Sequence, residues 1–282
     1  MPQNTEIVMS AVRAADRDRY LSALYAPADK RDALVSLYAF NAEIAGIRDR
    51  IHEPLPGEVR LQWWRDVIAA GAEAGAGHPV AEALNATIAA FNLPKLAFEN
   101  MLEARIFDLY DDPMPSRTDL EGYCGETAAA LIQLAAMVLD PDEAPRFAEL
   151  AGRAGCAQAM TGLLLLLPLH RKRGQCFIPV DILAAAGSSP EEFVAGDGGP
   201  GAQRAVTAMR ALAREHLSAF EQGAAALPVS LRPAFLPLVL SRAYLDKMEG
   251  SRHSSLDGVV RLSALRRHWL LLRRASRGWP AL

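Results

Sequence analysis

The chain has 282 residues, of which 51% are hydrophobic, and this is enough apolar material for a sizeable buried core. Its formal net charge of −3 is too close to neutral to indicate a nucleic-acid-binding protein. The three cysteines, Cys124, Cys156 and Cys176, show neither CxxC nor zinc-finger spacing. This argues against a disulfide framework or a structural zinc site and favours the reducing cytoplasm.

No export signal or membrane-spanning segment is expected. The N-terminal residues alternate in charge and lack the apolar core of a signal peptide. The most apolar window, AMTGLLLLLPLH, reaches Pro168 after five consecutive leucines and then meets basic residues. It is well short of the roughly 20 apolar residues that a spanning helix needs.

Alanine and leucine dominate the chain, and apolar residues recur at spacings of three and four. This pattern predicts an all-α protein, which turn-forming segments divide into roughly nine helices. Ser116 or Thr118 is expected to cap one of them. The segment GDGGPG at 196–201 is the one candidate domain boundary, and we interpret it as a surface loop within a single domain, residues 1–282.

The first helix of functional interest is predicted over residues 31–50. Positions 45 and 49 lie one turn apart on one face of this helix and hold Ala45 and Asp49. Asp49 could be the remnant of a metal site, but magnesium carboxylates need partner ligands. Because Arg48 and Arg50 flank it, we interpret Asp49 as an ion-paired residue.

The second helix is predicted over residues 157–173, where Leu166 and His170 lie one turn apart. A basic run ends this helix. The run consists of His170, Arg171, Lys172 and Arg173. It could bind a phosphate or a lipid headgroup without a metal. It could equally be a solvated helix end, because basic side chains are favourable near a helix C-terminus.

Two further groups of residues have structural explanations. Asp108, Asp111 and Asp112 stand where a helix runs into a Pro-rich loop, and we predict solvated acids in a turn rather than a metal motif. Trp63 and Trp64 occupy adjacent positions, which point about 100° apart on a helix. At most one of them therefore faces the interior, as part of the core.

The C-terminal segment RLSALRRHWLLLRRASRGW has six arginines and no acid between residues 261 and 277. Apolar residues form a stripe at helical spacing, with Arg267 and Arg274 on the far side. The stripe consists of Leu262, Leu265, Trp269 and Leu272. Such a helix could lie on an anionic membrane, with contacts from Arg266, Arg267, Arg273 and Arg274. We favour the alternative, in which the stripe docks on the core and leaves the arginines free.

Six segments, in order and with compatible spacing, resemble the squalene and phytoene synthase family over nearly the whole chain. They are LYAPADKRDALVSLYAF, LQWWRDVI, HPVAEAL, DLEGYCGETAA, GQCFIPVDIL and SRAYLDKMEG. Each alone is weak, but together they are specific. The resemblance implies the isoprenoid synthase fold, a single all-α domain around a central cavity.

Enzymes of that family condense two prenyl diphosphates head to head, and magnesium bridges the diphosphates to aspartates on two helices. Magnesium requires hard oxygen ligands. Aligned on the resembling segments, the first aspartate motif falls on Ala45, Gly46 and Asp49, and the second on Leu166 and His170. Only one of the five positions is acidic, so the resemblance implies a retained fold with no catalytic residues and no metal.

One branch of the family shows this pattern, namely the complex I assembly factors of the squalene/phytoene synthase type with their bacterial relatives. AFNAEIAGIRD and LPLHRKRGQCFIPVDI carry the likeness. It implies a non-catalytic assembly or scaffold factor with a complex I subunit or assembly intermediate as partner, a prenyl lipid as a further ligand, and a cytoplasmic location peripheral to the inner membrane. The alternatives are an active head-to-head prenyltransferase using farnesyl or geranylgeranyl diphosphate with magnesium, and a lipid-diphosphate carrier.

Overall fold

The computed structural model describes residues 2–71, 75–250, 256, 258 and 260–280, of which residues 2 and 3 are described by their backbone alone. Within these ranges every regular element is helical and no strand occurs, so the all-α prediction is confirmed. The α-helices are α1 Pro2–Ala15, α2 Arg17–Ala23, α3 Ala28–Ala45, α4 Ile47–Arg50, α5 Pro54–Ala70, α6 Pro79–Ala90, α7 Lys95–Ile106, α8 Arg117–Cys124, α9 Ala130–Leu139, α10 Ala148–Leu165, α11 Leu167–Lys172, α12 Val180–Ala185, α13 Pro190–Ala195, α14 Pro200–Ala224, α15 Arg232–Phe235, α16 Val239–Gly250 and α17 Ala264–Arg277. The predicted number of helices, roughly nine, is too small, in part because the helices predicted over residues 31–50 and 157–173 are both interrupted.

The first of two compact units is built around α3. Every residue of this helix from Ala33 to Phe40 is buried, including Ser36, so the helix has no solvent-exposed polar face in this segment. Phe40 packs edge-on against Trp64 and Phe98, with ring centroids 5.1 and 5.6 Å apart. Trp64 is fully buried and Trp63 is partly exposed, which confirms that at most one tryptophan faces the interior. The unit comprises Met1–Leu109, Ala130–Glu149 and Leu227–Pro237.

The second unit is organised by α10 and the long helix α14. Its apolar residues line one face of α14 at spacings of three and four, from Met209 to Phe220. Phe220 meets Trp279 edge-on at 5.5 Å. The unit comprises Tyr110–Ala129, Leu150–Ala226 and Leu238–Leu282. The GDGGPG segment lies inside this unit and is not the boundary between the two units. The single domain over residues 1–282 stays a prediction.

The helix predicted over residues 31–50 is interrupted. It ends at Ala45, and α4 begins at Ile47 after Gly46. The backbone of Gly46, with φ −87° and ψ 5°, lies in the sparsely populated bridge region rather than in the helical one. The prediction of one continuous helix through Ala45 and Asp49 is therefore wrong.

The helix predicted over residues 157–173 is interrupted in the same way. α10 ends at Leu165, and Leu166 has φ −90° and ψ 2°. The cause is Pro168, which has no N–H to donate and whose ring would clash with the carbonyl of Leu164. Proline is tolerated in the first turn of a new helix, so α11 begins here.

The acids of the FDLYDDP segment do not share one environment. Asp111 and Asp112 are exposed, as predicted. Asp108 is buried and binds Arg105 at 2.9 Å, so its assignment as a solvated acid is wrong. Ser116 caps α8 through the N–H of Asp119, which confirms one of the two predicted caps.

His78, the N-cap of α6, makes the stability of the fold depend on pH. Its Nδ1 accepts from the N–H of Ala81, and its ring lies 5.0 Å from that of Trp63. Burial, followed by the charge of Arg60, lowers the pKa of His78. Below about pH 6.5 the unfolded state therefore binds more protons at this histidine than the folded state does. The contribution of His78 to the stability of the fold is complete above that pH and is lost as the pH falls through the lowered pKa.

The variant His78→Asn keeps a good N-cap residue and removes the titrating ring. We expect the free energy of unfolding of the wild type to fall, relative to that of the variant, as urea unfolding is repeated from neutral pH towards pH about 5. Parallel pH curves for the two proteins would contradict this assignment.

One continuous helical stretch within the described residues, Arg117–Leu139, is long and apolar enough to cross a membrane, and an 18-residue window of it has a mean hydropathy of 1.3. It consists of α8, the π turn Gly125–Ala129 and α9. Of this window, 61% is buried inside the protein, and core helices of water-soluble proteins pass the same test. The stretch is weak evidence for a span, and no span was predicted there.

Candidate functional site

In the first unit, the positions of the first aspartate motif provide one carboxylate. Ala45 is partly exposed, Gly46 has no side chain, and Asp49 is exposed on α4. A Cβ at Gly46 would lie 3.0 Å from the carbonyl oxygen of Ala42, so an aspartate there would need the backbone to adjust. Neither Ala45 nor Gly46 can supply an oxygen ligand from its side chain.

The arginines that flank Asp49 donate hydrogen bonds to neighbouring segments of the backbone. The Arg50 guanidinium reaches back to Glu43, 3.2 Å from its carboxylate and 2.9 Å from its carbonyl. Arg48 donates to the carbonyl of His52. Arg50 therefore connects the two sides of the break at Gly46, whereas Arg48 binds a group on its own side of the break.

A buried polar cluster lies one turn before Ala45 and was not predicted from the sequence. Asn41 accepts a hydrogen bond from Arg105 at 3.4 Å, and Arg105 binds Asp108 at 2.9 Å. The side chains of Arg105 and Asp108 are 13% and 12% exposed. Their spacing of three residues at the end of α7 is the one signal that could have indicated a pair. This buried carboxylate is already neutralised by a guanidinium.

In the second unit, the positions of the second motif carry no carboxylate. Leu166 is 45% exposed and lies at the interruption before α11. His170 is buried, and its ring packs against Phe177 with centroids 4.6 Å apart. An imidazole held against an aromatic ring replaces the acid that would bind a hard cation.

The side chains of the basic run after His170 do not form one solvent-exposed cluster. Arg171 donates to the carbonyls of Phe193, at 2.8 Å, and of Gly196, and so satisfies the C-terminal end of α13. Lys172 is exposed and Arg173 is partly exposed at the end of α11. The anion-site prediction stays a prediction, with Lys172 and Arg173 as the side chains best placed to meet a ligand.

A second polar network was also missed. His216 is buried on α14, and its Nε2 lies 3.1 Å from a carboxylate oxygen of Glu121. Arg117 binds the same oxygen at 2.9 Å. Burial opposes the charge on Glu121, but the hydrogen bonds from Arg117 and His216 hold the pKa of that carboxyl below its ordinary value. The signal in the sequence is a histidine within the apolar stripe of α14.

The donor set does not fit the magnesium that the family's chemistry uses. Within the part of the chain that the structure describes, no group of three or more His, Cys, Asp or Glu residues could hold a metal ion. Of the five motif positions, Asp49 alone offers a carboxylate. Magnesium needs several hard oxygen ligands at near-octahedral positions, which a single exposed carboxylate does not provide.

Comparisons with known proteins agree with the fold. The family described as squalene/phytoene synthase matches residues 12–267, and the chain belongs to this family. Complex I assembly factor 6 from Bos taurus is 28% identical over 242 residues, which cover 86% of this chain and 72% of that protein. Phytoene synthase from Thermus thermophilus is 27% identical, with 96% of this chain and 92% of that protein covered.

A solved structure shows the fold. A dehydrosqualene synthase in complex with a ligand superimposes with a TM-score of 0.84 at 18% identity, covering 98% of this chain and 96% of that one. The predicted isoprenoid synthase fold is therefore confirmed. At this identity the likeness says nothing about activity.

Proposed function

We propose that this protein is a non-catalytic member of its family and acts as an assembly or scaffold factor for respiratory complex I. The observation that carries the proposal is the loss of carboxylates at four of the five motif positions while the fold is retained. The identity of 28% to a complex I assembly factor over 86% of the chain supports the same function. We place the protein on the cytoplasmic side of the inner membrane.

The physical reason is the charge of the leaving group. A departing diphosphate needs its developing negative charge neutralised, and magnesium does this when carboxylates anchor it. Ala45, Gly46 and Leu166 offer no ligand atoms, and the ring of His170 packs on Phe177. The same fold without this anchor retains surfaces for partners but lacks the means to ionise a prenyl diphosphate.

The proposal predicts an absence of turnover. Purified protein incubated with farnesyl or geranylgeranyl diphosphate, magnesium and NADPH is expected to release diphosphate no faster than buffer does. The Thermus phytoene synthase serves as the active control under the same conditions. Magnesium-dependent release of diphosphate above the buffer rate would overturn the non-catalytic assignment and favour a head-to-head prenyltransferase.

The assembly role is tested in the organism that encodes the chain. Deleting its gene is expected to lower both the amount of assembled complex I on native gels and NADH-driven quinone reduction, and the wild-type gene is expected to restore them. Succinate-driven quinone reduction is the control and is expected to stay unchanged. Normal complex I in the deletion strain would contradict the assembly role.

A prenyl lipid bound without metal is the finer part of the proposal, with Lys172 and Arg173 as headgroup contacts. Calorimetry with a non-hydrolysable farnesyl diphosphate analogue is expected to show binding that survives EDTA. The double variant Lys172→Ala, Arg173→Ala is expected to lose it, whereas Arg171 is left intact because it satisfies backbone carbonyls of the protein. Binding that requires magnesium would contradict this part.

A further inference from the structure

The C-terminal helix α17 exposes its most apolar side chains. The predicted docking of this stripe on the core is wrong: of its four residues, only Leu262, which precedes the helix, is buried. The others are exposed, Leu265 by 82%, Trp269 by 61% and Leu272 by 50%. They recur at spacings of four and three, so they form one continuous strip along the helix. A tryptophan and two leucines therefore face outward together.

The opposite face of α17 packs on the second unit, and two arginines make most of its described polar contacts. Leu271 is 1% exposed. Arg267 donates to the hydroxyl of Tyr244 at 3.2 Å, and Arg274 donates to the carbonyl of Gly278 at 3.2 Å while lying 5.8 Å from the Trp279 ring. Burial lowers the pKa of Arg274. Long side chains can bury their stems while their charged heads find partners, so this face can serve as the packed one.

A row of positive charge runs beside the exposed strip. Arg266, Arg273 and Arg277 are exposed and lie about 60° to 120° around the helix from the centre of the strip, given 100° per residue. Their guanidinium groups have no ion pair with a described residue. From residue 258 onward the sequence contains no acid. The strip and the row together form a surface that is apolar in the middle and purely basic at its edge.

We propose that α17 lies in the headgroup region of an anionic lipid bilayer, with Leu265, Trp269 and Leu272 inserted and Arg266, Arg273 and Arg277 bound to lipid phosphates. The helix has 14 residues, which is too short to span and suited to lying in the plane of the surface. Charge complementarity selects an anionic surface. Tryptophan suits the boundary between the acyl chains and the headgroups of a bilayer, because its ring is apolar and its N–H is polar. This inference does not depend on the assembly role.

The test is flotation of the full-length protein with vesicles. Binding is expected to vesicles of phosphatidylcholine with phosphatidylglycerol, to be weakened by high salt, and to be absent with phosphatidylcholine alone. The double variant Arg266→Gln, Arg273→Gln is expected to bind roughly 25-fold more weakly, since each arginine near an anionic surface strengthens binding about fivefold. The triple variant Leu265→Gln, Trp269→Gln, Leu272→Gln is expected to lose at least about 100-fold.

Matched controls distinguish binding through α17 from non-specific adsorption to vesicles. Leu55→Gln and Leu96→Gln remove leucines that are 72% and 65% exposed in the first unit, and the double variant Arg13→Gln, Arg17→Gln removes two exposed positive charges there. These variants are expected to bind like the wild type. Circular dichroism and thermal unfolding check that every variant folds.

Three outcomes would overturn the proposal. The wild type could fail to float with anionic vesicles. The α17 variants could bind as well as the controls. In the third outcome, sedimentation would show that the wild type self-associates, that the triple variant does not, and that neither binds vesicles, which would identify the strip as a contact between copies of the chain.

Discussion

Replacing Gly155 with alanine is expected to lower the free energy of unfolding by about 3 kcal/mol, at the upper end of the usual cost of overpacking. A Cβ at this position would lie 2.3 Å from the backbone nitrogen and Cα of Ala129. Backbone atoms cannot rotate away as a side chain can, so α10 would have to move from the π turn that contains Ala129. Urea unfolding of the two proteins measures the difference.

The control for this prediction lies in the same helix. A Cβ at Gly152 would meet nothing within 4 Å. Gly152→Ala is therefore expected to raise the free energy of unfolding by up to about 1 kcal/mol, because alanine loses less backbone entropy than glycine in a helix. Equal effects of the two substitutions would show that helix propensity, rather than the close approach of α10 to Ala129, decides the outcome.

Removing Arg105 is expected to have a comparably large effect. In Arg105→Met the carboxylate of Asp108, which is 12% exposed, loses the guanidinium that binds it at 2.9 Å. Breaking a buried pair in this way costs about 3–5 kcal/mol. The measurement is again the free energy of unfolding, at neutral pH.

Two further variants show whether the buried charge is the cause. Arg146 and Glu143 have the same spacing in an exposed pair, 72% and 34% exposed, so Arg146→Met is expected to cost less than about 1 kcal/mol. Adding Asp108→Asn to Arg105→Met removes the buried carboxylate charge as well and is expected to restore part of the lost stability. The explanation fails if Arg105→Met costs no more than Arg146→Met.

The interrupted helices could not have been fully predicted from sequence. Pro168 indicates a break near residue 166, and the predicted helix over 157–173 disregarded this signal. Gly46 is a weaker signal, because a helix interior tolerates one glycine at a cost of about 1 kcal/mol. Whether the chain stays helical there depends on contacts with other elements.

The polar residues show the same limit. Asp108 and Arg171 resemble solvated charges in the sequence because both stand in polar surroundings along the chain. In the folded protein Asp108 is buried against Arg105, and Arg171 satisfies carbonyls 22 and 25 residues away. The distant partners of Arg171 are set by packing, and a local pattern carries no information about them. For Asp108 the spacing of three residues could have indicated the partner, and packing decides that the pair is buried.

The sequence by itself determined the fold class, because helical periodicity is a local property, and six resembling segments determined the family. The absence of carboxylates at Ala45, Gly46, Leu166 and His170, where the resemblance expects them, stays a prediction about the site. The tertiary structure alone decided which side of α17 is buried. An apolar stripe can pack on a core through its side chains, and a row of arginines can do so through their methylene stems. The neighbours of the helix decide which of the two faces is buried. Here Tyr244 accepts from Arg267, and the apolar strip remains exposed.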